Sequence, residues 1–300
     1  MMRLLIYIFI FISFLSSCGL ETAKTGKNME VIIASNFLFP QDARYYKGFK
    51  KRTGIRVKIV HLTSDSINKH LLKFGYNSEF DLVFVNSLKD VKSLQNNKYH
   101  QFEYKFAKSE LNSFKPILKN RWLVSGIDPY VFSYFPDSTE RPKTYKDLTN
   151  NFLYATPNDD ELDVFLAQIK YHLRKNKKGS FKKWKANFVK NQVIYDSGTD
   201  SSSSHQFLFH KASLLKTDST LMNSKGRTIY FPNQTKKGFY ADRYAIAVVE
   251  QAKNFDNAKQ LLRFINKCEK IPAPFEIIQL NSTKAKHLNK LSEESILDNL

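Results

Sequence analysis

From Glu30 onward, short apolar runs alternate with stretches in which apolar residues recur every three or four positions. Glu30 to Ala34 (E-V-I-I-A) is the kind of run that fills a buried strand. Phe39-Pro40-Gln41-Asp42 opens a helix, since proline fits a first turn and the acid complements the helix dipole. Ala43, Tyr46 and Phe49 form its buried stripe, and Thr53-Gly54 ends it. Ile55, Val57 and Ile59 alternate as a second strand, extended by Val60-His61-Leu62. Asp65 to Phe74 reads as a second helix closed by Gly75, Asp81 to Val85 as a third strand, and Leu88 to Asn97 as a third helix. Strands and helices joined by short connectors predict a parallel sheet in an α/β domain.

The middle of the chain is less regular. Trp122 to Gly126 and Tyr130 to Phe135 read as two strands broken by Ile127-Asp128-Pro129. Pro142 to Leu148 is a connector entering a short helix, and Phe152 to Thr156 a strand leading to Asn158-Asp159-Asp160. Two amphipathic helices follow, with Leu162, Phe165, Leu166, Ile169 and Leu173 on one face, and Phe181, Trp184 and Phe188 on the next after the Gly179-Ser180 break. Their outer faces are basic, with no acid between Phe165 and Asn191, and read as solvated lysine surfaces. Contact with anionic lipid or polysaccharide is the alternative. Val193 to Tyr195, Ile229 to Gln234 and Tyr244 to Val249 return to strand-like patterning, and Asn254 to Asn266 is an amphipathic helix.

The N-terminus is of another kind. Arg3 precedes an apolar stretch from Leu4 to Leu15, shorter than the roughly 20 residues that span a bilayer and suited to a signal peptide. It runs into Leu15-Ser16-Ser17-Cys18-Gly19, which looks like a bacterial lipobox: cleavage before Cys18 would follow lipidation of its thiol. A second acyl group would complete a stable anchor. Residues 1–17 are then a signal peptide and 18–29 a tether, and the expected location is the cell envelope, lipid-anchored and facing the periplasm or cell exterior.

Composition narrows the chemistry. The 300 residues are 42% hydrophobic and 25% charged, an ordinary globular balance with room for two modest domains. Forty-seven basic against 28 acidic side chains leave +19, which favours acidic ligands or anionic surfaces. An envelope location weighs against nucleic acid. Two cysteines, Cys18 and Cys268, exclude a disulfide framework or a four-thiolate cluster, and Cys268 reads as a structural thiol. Ser201 to Ser204 precede His205 without a nucleophile elbow, and neither a P-loop, an H-E-x-x-H nor a dinucleotide fingerprint is present. The chain does not read as an enzyme.

Six segments in this order resemble the iron-type, class II periplasmic solute-binding proteins of ABC importers. They are Phe49 to Val57 (F-K-K-R-T-G-I-R-V), Phe80 to Val85 (F-D-L-V-F-V), Trp122 to Gly126 followed by Val131 to Tyr134, Arg141 to Leu148 (R-P-K-T-Y-K-D-L), Phe231 to Gln234 (F-P-N-Q) and Ala252 to Ile265. The resemblance covers roughly residues 30–268. It implies a two-lobed periplasmic-binding-protein type II fold with crossing hinge strands, the first lobe holding 30–125 plus 230–300 and the second 126–229. It also implies a permease and an ATPase as partners, and no cofactor beyond the bound solute. Iron-binding members place Tyr and His on the first strand-to-helix loop, an acid after the third strand, and paired tyrosines in the second lobe, hard oxygens suited to ferric iron. Here those positions align with Ala34, Leu38 and Asn86, and Gln206 to Leu215 contains no tyrosine. Ferric binding in the family's manner is therefore not expected.

Ligands of α/β sheets bind at the carboxyl ends of strands. Those ends offer Asn36, Asn86 and Ser125, neutral donors and acceptors that suit an oxyanion or an anionic metal chelate, with Asn158 and Asp159 opposite them in the second lobe. All are also common turn residues. His205 and His210, near Tyr195 and Asp196, are a replacement metal site or surface histidines in a loop. Tyr240, Asp242 and Tyr244 alternate and share a face if extended. Two functions follow: a solute-binding lipoprotein of an ABC importer, or a ligand-free, receptor-like lipoprotein serving envelope interaction or assembly.

Overall fold

A computed structural model describes residues 29–37, 44–95, 115–117, 121–135, 142–149, 154–156, 162–174, 180–194, 207–212, 228–233, 238–250, 252–267 and 293–300. Cys18, Ala43, Asn158, Asp159, Tyr195, Asp196, Ser201 to His205 and Cys268 lie outside them. Among the described residues, no helix is long and apolar enough to cross a membrane.

The expected alternation opens the fold: β1 (Glu30–Ser35), α1 (Arg44–Thr53), β2 (Arg56–His61), α2 (Ser64–Phe74), β3 (Leu82–Val85) and α3 (Leu88–Gln95). β1 pairs in parallel with β2 on one side and β3 on the other. The strands that follow are β4 (Lys115–Ile117), β5 (Trp122–Tyr134), β6 (Tyr154–Thr156), β7 (Gln192–Ile194), β8 (Phe207–Lys211), β9 (Thr228–Tyr230) and β10 (Ala241–Val248). Sheet order runs β2-β1-β3-β10-β5-β8-β6-β7, with β4 and β9 also paired to β5. The helices α4 (Asp163–Arg174) and α5 (Ser180–Lys190) lie between β6 and β7, and α6 (Phe255–Lys267) and α7 (Glu293–Leu297) close the chain.

One expectation is corrected. Ile127-Asp128-Pro129 does not break two strands; β5 is a single strand of 13 residues. Its first half pairs antiparallel with β10 and its second half with β8 and β9, so it belongs to two sheets. Pro129 sits where the partners change: its carbonyl accepts from Ala212 N at 2.8 Å, and the next amide, Tyr130 N, donates to Tyr240 O at 2.9 Å. A residue with no N–H is tolerated where the ladder is handed over.

Alternate residues of β1 supply two cores. Val31 and Ile33 pack with Tyr46 and Phe49 of α1 and Leu261 and Ile265 of α6, whereas Ala34 joins Ile67 and Leu71 of α2 and Val91 and Leu94 of α3. The second core continues without interruption into the second sheet, through Tyr130, Phe132 and Phe209 to Phe165 of α4 and Phe188 of α5. Phe165 is its hub, with ring centroids 4.8 Å from Phe209, 5.2 Å from Tyr145 and 5.3 Å from Tyr130. The basic face of α5 points outward as expected, with Lys182, Lys183, Lys185 and Lys190 exposed, whereas Lys170 and Arg174 of α4 bond Asn299.

The quoted motifs fasten this frame. In T-G-I, Thr53 Oγ1 donates to Phe49 O at 2.8 Å and accepts from Ile55 N at 3.1 Å. Gly54 follows at φ +75°, where a Cβ would come within 2.7 Å of the Met29 side chain. Asp81 of F-D-L-V-F-V is buried and accepts from Ile32 N at 2.8 Å and Asn254 N at 2.9 Å, tying β1 to the start of α6. Burial pushes its carboxyl above the usual range, against those donors. In T-Y-K-D-L, Asp147 accepts from Lys143 N and Thr144 N, both at 2.8 Å. Asn233 of F-P-N-Q, at φ +59°, donates its N–H to Lys143 O at 3.0 Å, so the two motifs clasp each other.

The hydroxyl of Tyr145 fills the gap left where β5 and β10 part. It donates to Tyr130 O at 3.0 Å and accepts from Tyr240 N at 2.9 Å, while its ring stacks on Tyr240 at 4.7 Å. Burial raises this phenol well above its ordinary value. Tyr145→Phe removes both hydrogen bonds that the hydroxyl makes to buried backbone, and the expected loss of stability is about 2 kcal/mol. Urea unfolding of the two proteins checks it; equal midpoints would show the hydroxyl to be dispensable.

Candidate functional site

The ends of β1 and β3 meet. Asn36 Nδ2 donates to Asn86 Oδ1 at 3.0 Å, to Ser64 Oγ at 2.9 Å and to Asp90 Oδ2 at 2.8 Å, and Asn36 Oδ1 accepts from Asn86 N at 3.0 Å. The structure thus brings together two of the residues singled out above, but the Asn36 amide is engaged in joining β1, β3, α2 and α3. Asn86 is half-buried beside it. Ser125 falls at the irregularity of β5, where Tyr244 pairs with Gly126 and Ala245 with Val124; it is the bulged residue. Ala34 is core, and Leu38, Asn158 and Asp159 lie outside the described residues.

What the sequence reading missed is a buried ion pair. Lys211, the last residue of β8, places Nζ 2.8 Å from Asp242 Oδ2, with the aspartate wholly buried and the lysine nearly so. Asp242 Oδ1 accepts from Leu88 N at 3.0 Å, the first residue of α3, and from Arg243 N at 2.8 Å. Lys211 pairs with Tyr130 on one side of β5 and Asp242 with Asp128 on the other, so the ion pair straddles the crossing strand. A lysine closing the apolar run F-L-F-H-K reads in sequence as a strand end. Nothing local announces an aspartate 31 positions later.

Asp90 completes the cluster from the first turn of α3. Its carboxyl is pushed above the usual range, first by burial and then by the Asp242 charge; the Ser64 and Asn36 hydrogen bonds and the Lys211 ammonium pull the other way. Of the alternating trio, Asp242 is in this cluster, Tyr244 reaches Asp128 Oδ2 at 3.4 Å and meets Phe37 edge-on at 5.2 Å, and Tyr240 stacks on Tyr145.

His210 is not a surface loop residue. It lies in β8, fully buried, with Nε2 3.1 Å from Ser133 Oγ and Nδ1 2.8 Å from Lys211 O. Both ring nitrogens are occupied, because a histidine on an inward-facing strand position must satisfy them internally. Among the described residues, no group of three or more His, Cys, Asp or Glu side chains is arranged to hold a metal ion.

No family model matches the chain. No curated protein matches it either. Solved structures share its fold. The ferric binding protein from Campylobacter jejuni superposes with a TM-score of 0.70 at 18% identity, over 90% of this chain and 95% of that one. Ferric iron-binding protein A of Mannheimia haemolytica, in an open conformation, gives 0.72 at 14% identity over 90% and 94%. The Trichodesmium protein IdiA (FutA), in complex with iron and citrate ligands, gives 0.68 at 17% identity over 87% and 86%. At such identities the shared property is the fold, that of the two-lobed class II periplasmic solute-binding proteins, as the six motifs implied.

The position of Asp90 has a consequence for pH. A carboxyl raised in the folded state favours folding while protonated, and that contribution is lost as pH rises through its folded value. The stability of Asp90→Asn relative to wild type should therefore improve between about pH 3 and pH 7. Thermal unfolding across this range measures it. A difference that does not vary with pH would mean that the carboxylate is not strained by its surroundings.

Proposed function

We propose that this chain is an envelope-anchored solute-binding lipoprotein of an ABC importer. It captures a small anionic solute or a metal chelate between a first lobe (30–125 plus 230–300) and a second (126–229). It hands that solute to a permease driven by an ATPase, and performs no chemistry on it. Anchoring would run through Cys18 and the tether, placing the lobes at the periplasmic or outer face of a membrane.

The observation that supports an anionic ligand is Asn86: the end of β3 presents a half-buried, neutral amide where an acid would hold a bare cation, and the +19 charge of the whole chain attracts anions. The Trichodesmium neighbour, in complex with iron and citrate ligands, is a precedent for an organic acid as ligand of this fold. A second reading, a receptor-like protein without ligand, is favoured by one observation: the Asn36 amide already has protein partners on every side.

Thermal unfolding with phosphate, sulfate, citrate and ferric citrate separates the two. An anion or chelate at about a hundredfold excess over its Kd should raise the melting temperature by about 5 °C, and Asn86→Leu should shrink the shift. Ferric citrate should give no tyrosinate-to-iron absorption band. If none of the four shifts melting, the interaction-protein reading replaces this one.

Anchoring is tested separately. An acyl-chain analogue fed to cells should label the wild-type protein and not Cys18→Ala, and the variant should leave the membrane fraction. Equal labelling of both would place the lipid elsewhere or nowhere.

A further inference from the structure

The last eight residues sit between two helices that belong to different sheets. α3 connects β3 of the first sheet with β4, and α4 lies in the connection between β6 and β7 of the second. α7 packs against both. Its Ile296 and Leu297 are buried in the core that also holds Val91 and Leu94 of α3 and Phe165 and Ile169 of α4.

The polar contacts come from both sides as well. Lys92 of α3 donates from Nζ to Leu297 O at 2.9 Å. Lys170 of α4 donates to Asn299 O at 3.0 Å, and Arg174 Nη1 to Asn299 Oδ1 at 2.9 Å. Asn299 is itself held in place, with Nδ2 donating to Ser295 O at 2.8 Å. The last carbonyls of a helix lack partners inside it and carry partial negative charge, so cations are the donors that suit them. Here Lys92, from the helix on the first sheet, meets the last carbonyl of α7, and the two cations of the helix on the second sheet meet the carbonyl and side chain of Asn299 just beyond it. The direct link between α3 and α4, Lys89 to Asp163 at 2.8 Å, is about 40% exposed on both sides and contributes little by itself.

We infer that residues 293–300 act as a clasp that sets the angle between the two lobes. Rotation of α3 away from α4 must break the Lys92 bond or the Lys170 and Arg174 bonds, and must uncover Ile296 and Leu297. Opening of the cleft is thereby coupled to release of residues 293–300. The inference goes beyond solute binding and holds whether or not the cleft takes a ligand.

The test uses the full chain with spin labels at Lys69→Cys on α2 and Lys185→Cys on α5, two exposed positions, in a background carrying Cys18→Ser and Cys268→Ser. The distance between labels is measured without ligand in three forms: the intact C-terminus, a chain ending at Ser292, and Asn299→Ala. The intact form should give one narrow distribution. Truncation should move it to longer distance and roughly double its width, with Asn299→Ala in between. Identical distributions in all three would overturn the inference. Should the truncated chain fail to fold, Asn299→Ala decides alone: an unchanged distribution there overturns the clasp, and a broadened one supports it.

Discussion

β5 has to hydrogen-bond in two sheets, and everything near the middle of this molecule follows from that. Where a strand passes from one set of partners to another, its neighbours diverge and leave backbone groups that water cannot reach. Each such group must find a partner or cost stability. The chain meets the demand in three ways. Pro129 removes one donor outright, the Tyr145 hydroxyl reaches Tyr130 O and Tyr240 N, and Ala212 N turns to Pro129 O. Asp242 and Lys211 flank the same stretch and neutralise each other there.

That ion pair is costly to bury and is not retained for stability alone, since a pair of apolar residues can do as well in such places. Its value lies in what it joins. Asp242 spends one oxygen on the first amide of α3 and on Arg243 N, so the carboxylate is fixed before Lys211 approaches. The ammonium is then held by a rigid partner, and the pair ties the end of β8 to β10 and the start of α3 without leaving net charge at the crossing.

Much of the fold was legible, because periodicity reports which face is buried. β1, α2 and β3 appear within a residue or so of their expected ends, and the glycines at 54 and 75 mark the helix ends they were expected to mark. Periodicity does not report which polar group meets which. Tyr145 and Asn233 stood out as parts of motifs, yet they meet each other across 88 positions, and Tyr145 meets Tyr240 across 95. Lys211 was invisible for the same reason. Pro129 misled in the other direction: proline usually ends a strand, and here it marks a change of partner within one.

The neutral strand-end residues invite a comparison of two kinds of binding floor. A floor built for ferric iron needs several anionic oxygens that repel one another until the metal arrives. Among the described residues, Asp242 stands opposite Asp128 and acts on Asp90, and Lys211 neutralises Asp242. Asp128 accepts from the Tyr244 hydroxyl and Asp90 from the Asn36 amide, so each carboxylate already has a partner within the protein. A ferric ion would have to displace those partners, and at short range the Lys211 ammonium would repel it. The chelate proposed above brings its own carboxylates and asks for none of these displacements.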